Sequence, residues 1–479
     1  MSSVSETIQN RRSSHLDELK ELLRIPSVST DDERKADVRR AGEWVRKRLF
    51  AAGCKTADLH PTAGHPIVYG EWLGAKGAPT ILVYGHYDVQ PVDPVELWDT
   101  PPFEPTVRGG KLYARGASDD KGQFLVHILA LESHLAATGT CPVNLKFLIE
   151  GEEEIGSPHL VPFLKANRSK LACDAVVVSD TAMFARGLPS ICYGLRGLAY
   201  LEVSVRGTAR DLHSGVYGGA VINPANALVS MLASLKNARG RITVPEFYDR
   251  VRNLSAAERR AFAALPHSDS RFRKSIGAPD LFGERGFSTL ERTWARPSFD
   301  INGIWGGFTG KGAKTVIGAE AHAKISMRLV PDQDPDEIGR IVASHLRKIA
   351  PKSVKVDVRE LHGGLPWLAP TDHPALQAAG RALKRAFRKQ PVFTREGGSI
   401  PIVAEFDRIL KVPTVLMGLG LTDDNLHAPN EKFDLENFHR GVAAAAFLME
   451  ELAGSGFGPA ATGAGKATKK TARRNTRKK

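Results

Sequence analysis

Short apolar runs recur through the first 180 residues of the chain, and most of them end in polar residues. The runs are too short for helices and are typical of strands buried within a sheet. The longer segments between them carry apolar residues at helical spacing and predict helices. The predicted strands are 67–72, 80–84, 143–149, 174–178 and, later, 413–417; the predicted helices are 14–25, 31–52, 120–138 and 157–166. This alternation predicts an α/β fold with an open, mostly parallel sheet, in which ligands bind at the carboxyl ends of the strands.

The middle of the chain has a different pattern. Residues 199–205 and 354–361 alternate apolar and polar positions, as half-exposed strands do. Residues 223–235 and 334–349 have the spacing of amphipathic helices, 314–330 holds two strand-like runs, and 245–300 is charged and irregular, which predicts a loop with short helices. We therefore expect a small α+β domain inserted into a larger one. The predicted boundaries are 1–195 and 373–454 for the larger domain, 196–372 for the insertion and 455–479 for a disordered tail.

The length of 479 residues agrees with two domains. The formal net charge of +13 is concentrated at the end, because residues 466–479 hold eight Lys and Arg and no acid, which leaves 13 − 8 = +5 for the rest. This basic tail could make weak, non-specific contacts with nucleic acid or anionic surfaces. It has no aromatic residue for base stacking, so a solubilising end is the favoured interpretation.

Nothing in the composition predicts a membrane protein, because the sequence has no run of eighteen apolar residues. The polar N-terminus lacks the apolar core of a signal peptide. The four cysteines are widely spaced, without a C-x-x-C pair, and are typical of reduced thiols. These features predict a cytoplasmic protein.

Five polar clusters follow predicted strands or open a predicted helix. They are His86 with Asp88, the pair Asp119 and Asp120, the three glutamates 152–154, Asp180, and His427. Each alone has an ordinary structural interpretation: a surface hydrogen-bonded pair, a helix cap, a solvated acidic turn, or a structural Asp or His. Together they offer one carboxylate that can bridge two cations, with one His and one acid for each cation. Such a set is typical of a two-metal hydrolytic site, and mixed His and carboxylate ligands suit zinc, manganese or cobalt.

The motifs around these clusters resemble those of the M20 metallopeptidases, most closely the branch of cytosolic nonspecific dipeptidases and carnosinases. The resemblance covers about residues 14–453 in order and excludes the basic tail. It rests on Gly85-His86-Tyr87-Asp88-Val89-Gln90-Pro91, Arg115-Gly116-Ala117-Ser118-Asp119-Asp120-Lys121-Gly122, Glu150-Gly151-Glu152-Glu153-Glu154-Ile155-Gly156-Ser157, Tyr193-Gly194-Leu195-Arg196-Gly197 and Asp211-Leu212-His213-Ser214-Gly215.

The resemblance implies a set of metal ligands. His86, Asp119 and Asp180 would hold one ion, and His427, Asp119 and Glu154 would hold the other. Glu153 would be the general base, and Asp88 would orient His86. Glu152 adds one acid to the family's pair, and alignment on Ile155-Gly156-Ser157 favours Glu153 as the base.

The resemblance also implies roles in the inserted domain, which would be the lid and dimerisation domain of the family. His213 matches a histidine that reaches the partner's active site and stabilises the oxyanion. Arg328 matches an arginine that binds the substrate carboxylate. His362 and Ser399 match substrate-contacting positions. Without the resemblance, a solvated strand arginine and a loop histidine would be the favoured interpretations of Arg328 and His362.

We therefore expect a homodimeric, metal-dependent dipeptidase with two divalent ions, zinc first and manganese or cobalt next, which cleaves small peptides with a free C-terminal carboxylate. An N-acyl-amino-acid deacylase or a metallocarboxypeptidase on the same scaffold is the enzyme alternative. A non-catalytic protein that binds peptides, or nucleic acid through its tail, is the alternative of another class.

Overall fold

The computed structural model describes residues 3–456 and 458, so the basic tail lies outside the described residues. The strands are β1 (Thr56–His60), β2 (Ile67–Trp72), β3 (Thr80–His86), β4 (Thr106–Arg108), β5 (Lys111–Tyr113), β6 (Asn144–Glu150), β7 (Ala175–Val178), β8 (Ser190–Leu195), β9 (Gly197–Arg206), β10 (Leu212–His213), β11 (Ser298–Gly306), β12 (Val316–Ile317), β13 (Glu320–Leu329), β14 (Lys355–Gly364), β15 (Trp367–Leu368), β16 (Val392–Glu396), β17 (Thr414–Leu416) and β18 (Lys432–Asp434). The helices are α1 (Val4–Asn10), α2 (Arg12–Leu23), α3 (Lys35–Ala51), α4 (Lys121–Thr138), α5 (Leu160–Ala166), α6 (Ser214–Tyr217), α7 (Pro224–Ser234), α8 (Ala256–Ala263), α9 (Asp269–Ser275), α10 (Thr289–Trp294), α11 (Pro335–Ile349), α12 (Pro374–Phe387), α13 (Pro401–Leu410) and α14 (Leu435–Gly454).

The chain divides into two compact units. Unit 1 contains the described residues of Met1–Pro189, Asp372–Pro391 and Val412–Lys479, and unit 2 contains Ser190–Thr371 and Val392–Lys411. The predicted boundaries at 195 and 372 remain predictions. Unit 2 also takes in Val392–Lys411, where strand β16 pairs in parallel with β8.

Unit 1 is built on a sheet with the strand order β1-β2-β6-β3-β7-β17. Strand β3 runs parallel to β6 and β7, and β17 runs parallel to β7. The edge pairs β1–β2 and β2–β6 are antiparallel. The prediction of an open, mostly parallel α/β sheet is therefore confirmed, and the carboxyl ends of four parallel strands lie at one edge.

Helix α4 leads directly away from that edge. It begins at Lys121, one residue after the double acid, and is buried along most of its length because it is apolar on nearly every face. Helices α1, α2 and α14 pack against it. A helix apolar all round belongs inside a core, so α4 fixes the loop at its N-terminus.

Unit 2 contains a four-stranded antiparallel sheet with the order β11-β13-β9-β14. Helices α7 and α11 pack on one face. Along β9 the burial alternates residue by residue, and the buried positions join those of the two helices in one apolar core. This is the α+β architecture that alternation in the sequence predicts.

Strand β11 lies partly in the stretch for which the sequence predicts a loop with short helices, and α8, α9 and α10 are those short helices. The strand was missed because a register shift between Ile301 and Gly303 breaks its alternation. No helix within residues 3–456 is both long and apolar enough to cross a membrane.

Candidate metal centre

The site forms where the parallel strands of unit 1 end. His86 is the last residue of β3, Asp180 follows β7 by two residues, and Glu154 follows β6 by four. Asp119 lies in the loop that precedes α4, and His427 lies in the loop between β17 and β18. The structure therefore brings all five predicted ligands to one edge of the sheet.

The first predicted ligand group is closely packed. The ligand atoms of His86, Asp119 and Asp180 all lie within 4.8 Å of one another. His86 Nε2 is 3.1 Å from Asp119 Oδ1 and 3.8 Å from Asp180 Oδ2. The side chain of His86 is fully buried.

The second group shares Asp119 with the first. The ligand atoms of Asp119, Glu154 and His427 also lie within 4.8 Å of one another. His427 Nε2 is 2.9 Å from Asp119 Oδ2 and 3.4 Å from Glu154 Oε2. The two oxygens of Asp119 thus face different histidines, as a bridging carboxylate requires. His427 differs from His86 in that its side chain is 55% exposed.

The residues present fit a pair of cations. His86 Nε2 is buried and makes no hydrogen bond within residues 3–456, although carboxylate oxygens of Asp119 and Asp180 are close to it. A buried polar atom without a partner is costly. An imidazole nitrogen that faces two carboxylates without a hydrogen bond has the arrangement of a ligand set around an ion.

The electrostatics of the cluster agree with this. Burial, and then the charge of Asp119, raise the pKa of Glu154 to about 9 and that of Asp180 to about 6. Burial acts to raise the pKa of Asp119 as well, but the neighbouring His427 and His86 outweigh it and hold that pKa below its usual value. Acids that ionise reluctantly when packed together become stable carboxylates when divalent cations lie between them.

The three consecutive glutamates point to different partners. Glu152 Oε1 accepts the backbone N–H of His65 at 2.9 Å, and Oε2 is 2.7 Å from His159 Nδ1. Glu154 faces the second ligand group, and Gln90 Nε2 donates to its Oε2 at 2.8 Å. Both carboxyl oxygens of Glu152 are therefore engaged outside the ligand groups, whereas Glu154 belongs to the second group.

Asp88 holds this turn. Its carboxylate accepts the backbone N–H of Glu153 at 3.2 Å and that of Glu154 at 3.1 Å. His86 Nδ1 is 3.1 Å from the backbone carbonyl oxygen of Asp88 and 3.4 Å from its Oδ1. Asp88 thus contacts His86 mainly through its main chain, while its carboxylate accepts hydrogen bonds from the backbone of the two glutamates; its predicted role in orienting His86 remains a prediction.

Asp120 supports the site from the other side. It occupies the N-cap position of α4, but its side chain makes no capping hydrogen bond. Its Oδ2 instead accepts the backbone N–H of His86 at 3.2 Å. Gly85 makes this approach possible, because a Cβ atom there would lie 2.7 Å from Asp120 Oδ2 and 2.4 Å from Phe124 Cβ.

Sequence reasoning missed two buried acids. Glu431 accepts hydrogen bonds from the backbone of the Asp119 loop, and Asp424 Oδ2 accepts from Ser118 Oγ at 2.9 Å in the same loop. Both lie within four residues of His427 in sequence, but nothing local indicates their partners, which lie about 300 residues earlier in the chain.

The predicted substrate residues all lie in unit 2. Arg328 Nη1 donates to Ser399 Oγ at 3.1 Å, and Ser399 Oγ donates to the carbonyl oxygen of Arg196 at 2.5 Å. The ring of His362 lies 4.9 Å from that of Tyr200. His213 is exposed, and its Nδ1 accepts the N–H of Gly215 at 2.9 Å, so Nε2 is the ring nitrogen left to face a ligand.

Comparison with known proteins shows which family the chain resembles. A sequence profile of Peptidase family M20/M25/M40 matches residues 82–451. The Cys-Gly metallodipeptidase dug1 of Schizosaccharomyces pombe is 34% identical over 463 residues, which are 94% of this chain and 97% of the relative. The human Beta-Ala-His dipeptidase is 36% identical over 391 residues, 80% of this chain and 77% of the relative.

A solved structure from the same family is also similar to this chain. The M20 family metallo-carboxypeptidase Sso-CP2 from Sulfolobus solfataricus is 30% identical and superposes with a TM-score of 0.82 over 92% of this chain and 99% of that one. The profile covers more than half of the chain, and the relatives exceed 30% identity over most of their length. The chain therefore belongs to peptidase family M20/M25/M40 and is a peptide-bond hydrolase of its metallodipeptidase branch.

Proposed function

We propose that the chain hydrolyses dipeptides and short peptides with a free C-terminal carboxylate, with Glu153 as the general base. One observation carries the proposal: Glu153 interacts electrostatically with members of both ligand groups, His86 and Asp180 in one and Glu154 in the other, and belongs to neither group. Its backbone is fixed by Asp88, and its carboxyl group makes no hydrogen bond within the described part of the chain. A carboxylate so placed can reach a water that the ligand groups also face.

The environment of Glu153 suits proton transfer in both directions. Burial raises the pKa of Glu153 well above its usual value, and the charges of Asp180 and Glu154 raise it further. A raised pKa makes the Glu153 carboxylate a stronger base, which suits it to take a proton from water and then pass it to the leaving amine. When bound, the two cations would lower the pKa of a water and polarise the scissile carbonyl.

The metal ligands in this proposal are His86, Asp119 and Asp180 for one ion and Asp119, Glu154 and His427 for the other. Zinc is the first candidate for both, because mixed His and carboxylate sets suit it, and manganese or cobalt come next. The support for this assignment is the closeness of the ligand atoms in each group.

The substrate would be held by residues of unit 2. Arg328 offers a planar pair of donors that matches a C-terminal carboxylate, and Ser399 fixes one of its nitrogens. His362 would contact the substrate. His213 would act on the oxyanion in the partner subunit of a homodimer, and its exposure supports this role.

We also propose a cytoplasmic location. All four cysteines are free thiols, and three are buried, which fits a reducing compartment.

A substrate panel tests the proposal. Purified protein is loaded with Zn, Mn or Co and assayed on dipeptides, on N-acyl amino acids and on longer peptides with a blocked N-terminus. We expect dipeptides to be cleaved fastest. Faster cleavage of the blocked peptides would instead favour a carboxypeptidase, the alternative that similarity to Sso-CP2 supports. Preference for N-acyl amino acids would favour a deacylase.

A further inference from the structure

Glu431 is a fully buried acid that faces the loop of the shared ligand. Its Oε1 accepts the backbone N–H of Ser118 at 3.0 Å and that of Asp119 at 3.1 Å. Its Oε2 accepts the backbone N–H of Gly116 at 2.9 Å and Nη1 of Arg115 at 2.8 Å. All four donors come from one loop of five residues, so a single carboxylate fixes the course of that loop.

Glu431 and its partner Arg115 together connect three loops of unit 1. Glu431 lies four residues after His427, and its carbonyl oxygen accepts the N–H of Ala114 at 3.1 Å. Arg115, besides its ion pair with Glu431, donates from Nη2 to the carbonyl oxygen of Pro91 at 2.9 Å. The loops that carry Asp119 and His427, and the loop after Asp88, are therefore connected through the Arg115–Glu431 pair.

We propose that Glu431 is a positioning residue for Asp119, and through it for both metal ions. The proposal rests on the proposed function only in taking Asp119 as the bridging ligand. Both oxygens of Asp119 are committed, one toward His86 and one toward His427. A small displacement of the Asp119 backbone would therefore disturb both ligand groups at once. Glu431 itself is no ligand, since its two oxygens already accept four hydrogen bonds.

The role requires a carboxylate. A carboxylate accepts hydrogen bonds at both oxygens, whereas an amide offers one acceptor and one NH₂ donor. In the Glu431→Gln variant the NH₂ group would face at least two of the donors from Arg115, Gly116, Ser118 and Asp119. Those donors would be left buried without a partner, and the loop would shift to regain them.

The test is a zinc titration of the full chain against a competing colorimetric chelator, with the metal-free parent and Glu431→Gln compared. We expect zinc affinity to fall by about 10- to 100-fold, as for other residues that position metal ligands. Glu104→Gln is the matched control, because Glu104 is exposed, and its side chain makes no ion pair or hydrogen bond within residues 3–456. Its zinc affinity should equal that of the parent.

Zinc affinity of Glu431→Gln equal to that of the parent would overturn the proposal. If this variant fails to fold, Glu431→Asp replaces it, since it keeps the charge opposite Arg115 but withdraws the oxygens by one methylene. A parent-like affinity there would equally overturn it. Dipeptide hydrolysis by the parent is measured separately: a parent that binds zinc but cleaves no dipeptide removes the proposed function and leaves the zinc comparison valid.

Discussion

Asp88 Oδ2 accepts the backbone N–H of Glu154 at 3.1 Å, although 66 residues separate the two in sequence. The bond joins the loop after β3 to the turn after β6. It places the proposed base and a proposed metal ligand relative to His86, which ends β3. The proposed catalytic arrangement therefore depends on the Asp88 carboxylate, whose two oxygens accept hydrogen bonds from backbone N–H groups.

Replacement of Asp88 by Asn should loosen this turn. An amide can accept only one of the two N–H groups, so Glu153 and Glu154 should both lose their fixed position. We expect kcat for a dipeptide to fall by about 10- to 100-fold, with a measurable loss of bound zinc. Asp58→Asn, on the exposed side of β1, is the control. Normal kcat and zinc content in Asp88→Asn would contradict the role.

Substitution of Glu153 should affect turnover, whereas substitution of Glu152 should affect stability. Glu153→Gln should keep both metals and lose turnover by about 100- to 10,000-fold, because the variant cannot take a proton from water. Glu152→Gln should keep turnover and lose about 1–2 kcal/mol of stability, because Glu152 pairs with His159 and the N–H of His65. Turnover, zinc content and the urea midpoint are the measurements. The reverse result would make Glu152 the base.

Arg328 should matter only for substrates that carry a carboxylate. We expect Arg328→Met to raise KM for a dipeptide by about 10- to 100-fold, since a hydrogen bond to a charged group contributes about 1.5–3 kcal/mol. The C-terminal amide of the same dipeptide should be affected far less. Arg359→Met, at an exposed position of β14 in the same sheet, is the control. Equal losses on the two substrates would exclude carboxylate recognition by Arg328.

His213 should act across a dimer. A chain with His213→Ala and a chain with Glu153→Ala are each expected to be inactive as homodimers. Co-expressed, they should form mixed dimers in which one site has both residues, and part of the activity should return. Activity that stays at the background of the two homodimers would show that His213 does not serve the partner's site.

His127 should make unit 1 sensitive to acid. Burial lowers the pKa of His127 from 6.5 to about 4, and its Nε2 lies 2.7 Å from Ser179 Oγ. Between these values the unfolded chain binds the extra proton, so the contribution of His127 is complete above pH 6.5 and is lost as the pH falls toward 4. The loss approaches about 3 kcal/mol at 1.36 kcal/mol per pH unit.

Urea unfolding of the parent and of His127→Gln at pH 7.5 and pH 5 measures this effect. Gln can keep the hydrogen bond to Ser179 but does not titrate, so the variant should lose less stability than the parent on acidification. An identical loss in the two proteins would assign the acid sensitivity to other groups.

The sequence was most informative where local pattern and tertiary position coincide. The buried strands of unit 1 are continuous apolar runs, and three of the proposed ligands, His86, Glu154 and Asp180, lie at or just after the ends of those strands. The strands and the clustering of these side chains could therefore be predicted. The proposed difference in role between Glu152 and Glu153 could not be predicted from residue type, because it depends on the contacts of Glu152 with His65 and His159, which exist only after folding. Strand β11 was hidden for a related reason, since its register shift removes the period of two.

The contacts of Glu431 likewise could not be predicted from the sequence, and they span a longer distance along the chain. Its acceptor atoms meet donors more than 300 residues earlier in the chain, and an acid in a polar loop carries no local sign of such partners. The resemblance predicts that Asp88 orients His86. The hydrogen bonds from the backbone of Glu153 and Glu154 to its carboxylate could not be predicted, because those residues lie 65 and 66 positions further along the chain.

The unequal exposure of His86 and His427 bears on how quickly the two ions would exchange. A ligand group whose histidine is buried, as His86 is, should release its ion slowly. A ligand group with a half-exposed histidine, such as His427, can open by rotation of that single side chain. The ion beside His427 should therefore be the labile one, lost first on dilution. Preparations of this enzyme would then contain a long-lived species with one ion, held by His86, Asp119 and Asp180, whose abundance depends on the history of the sample.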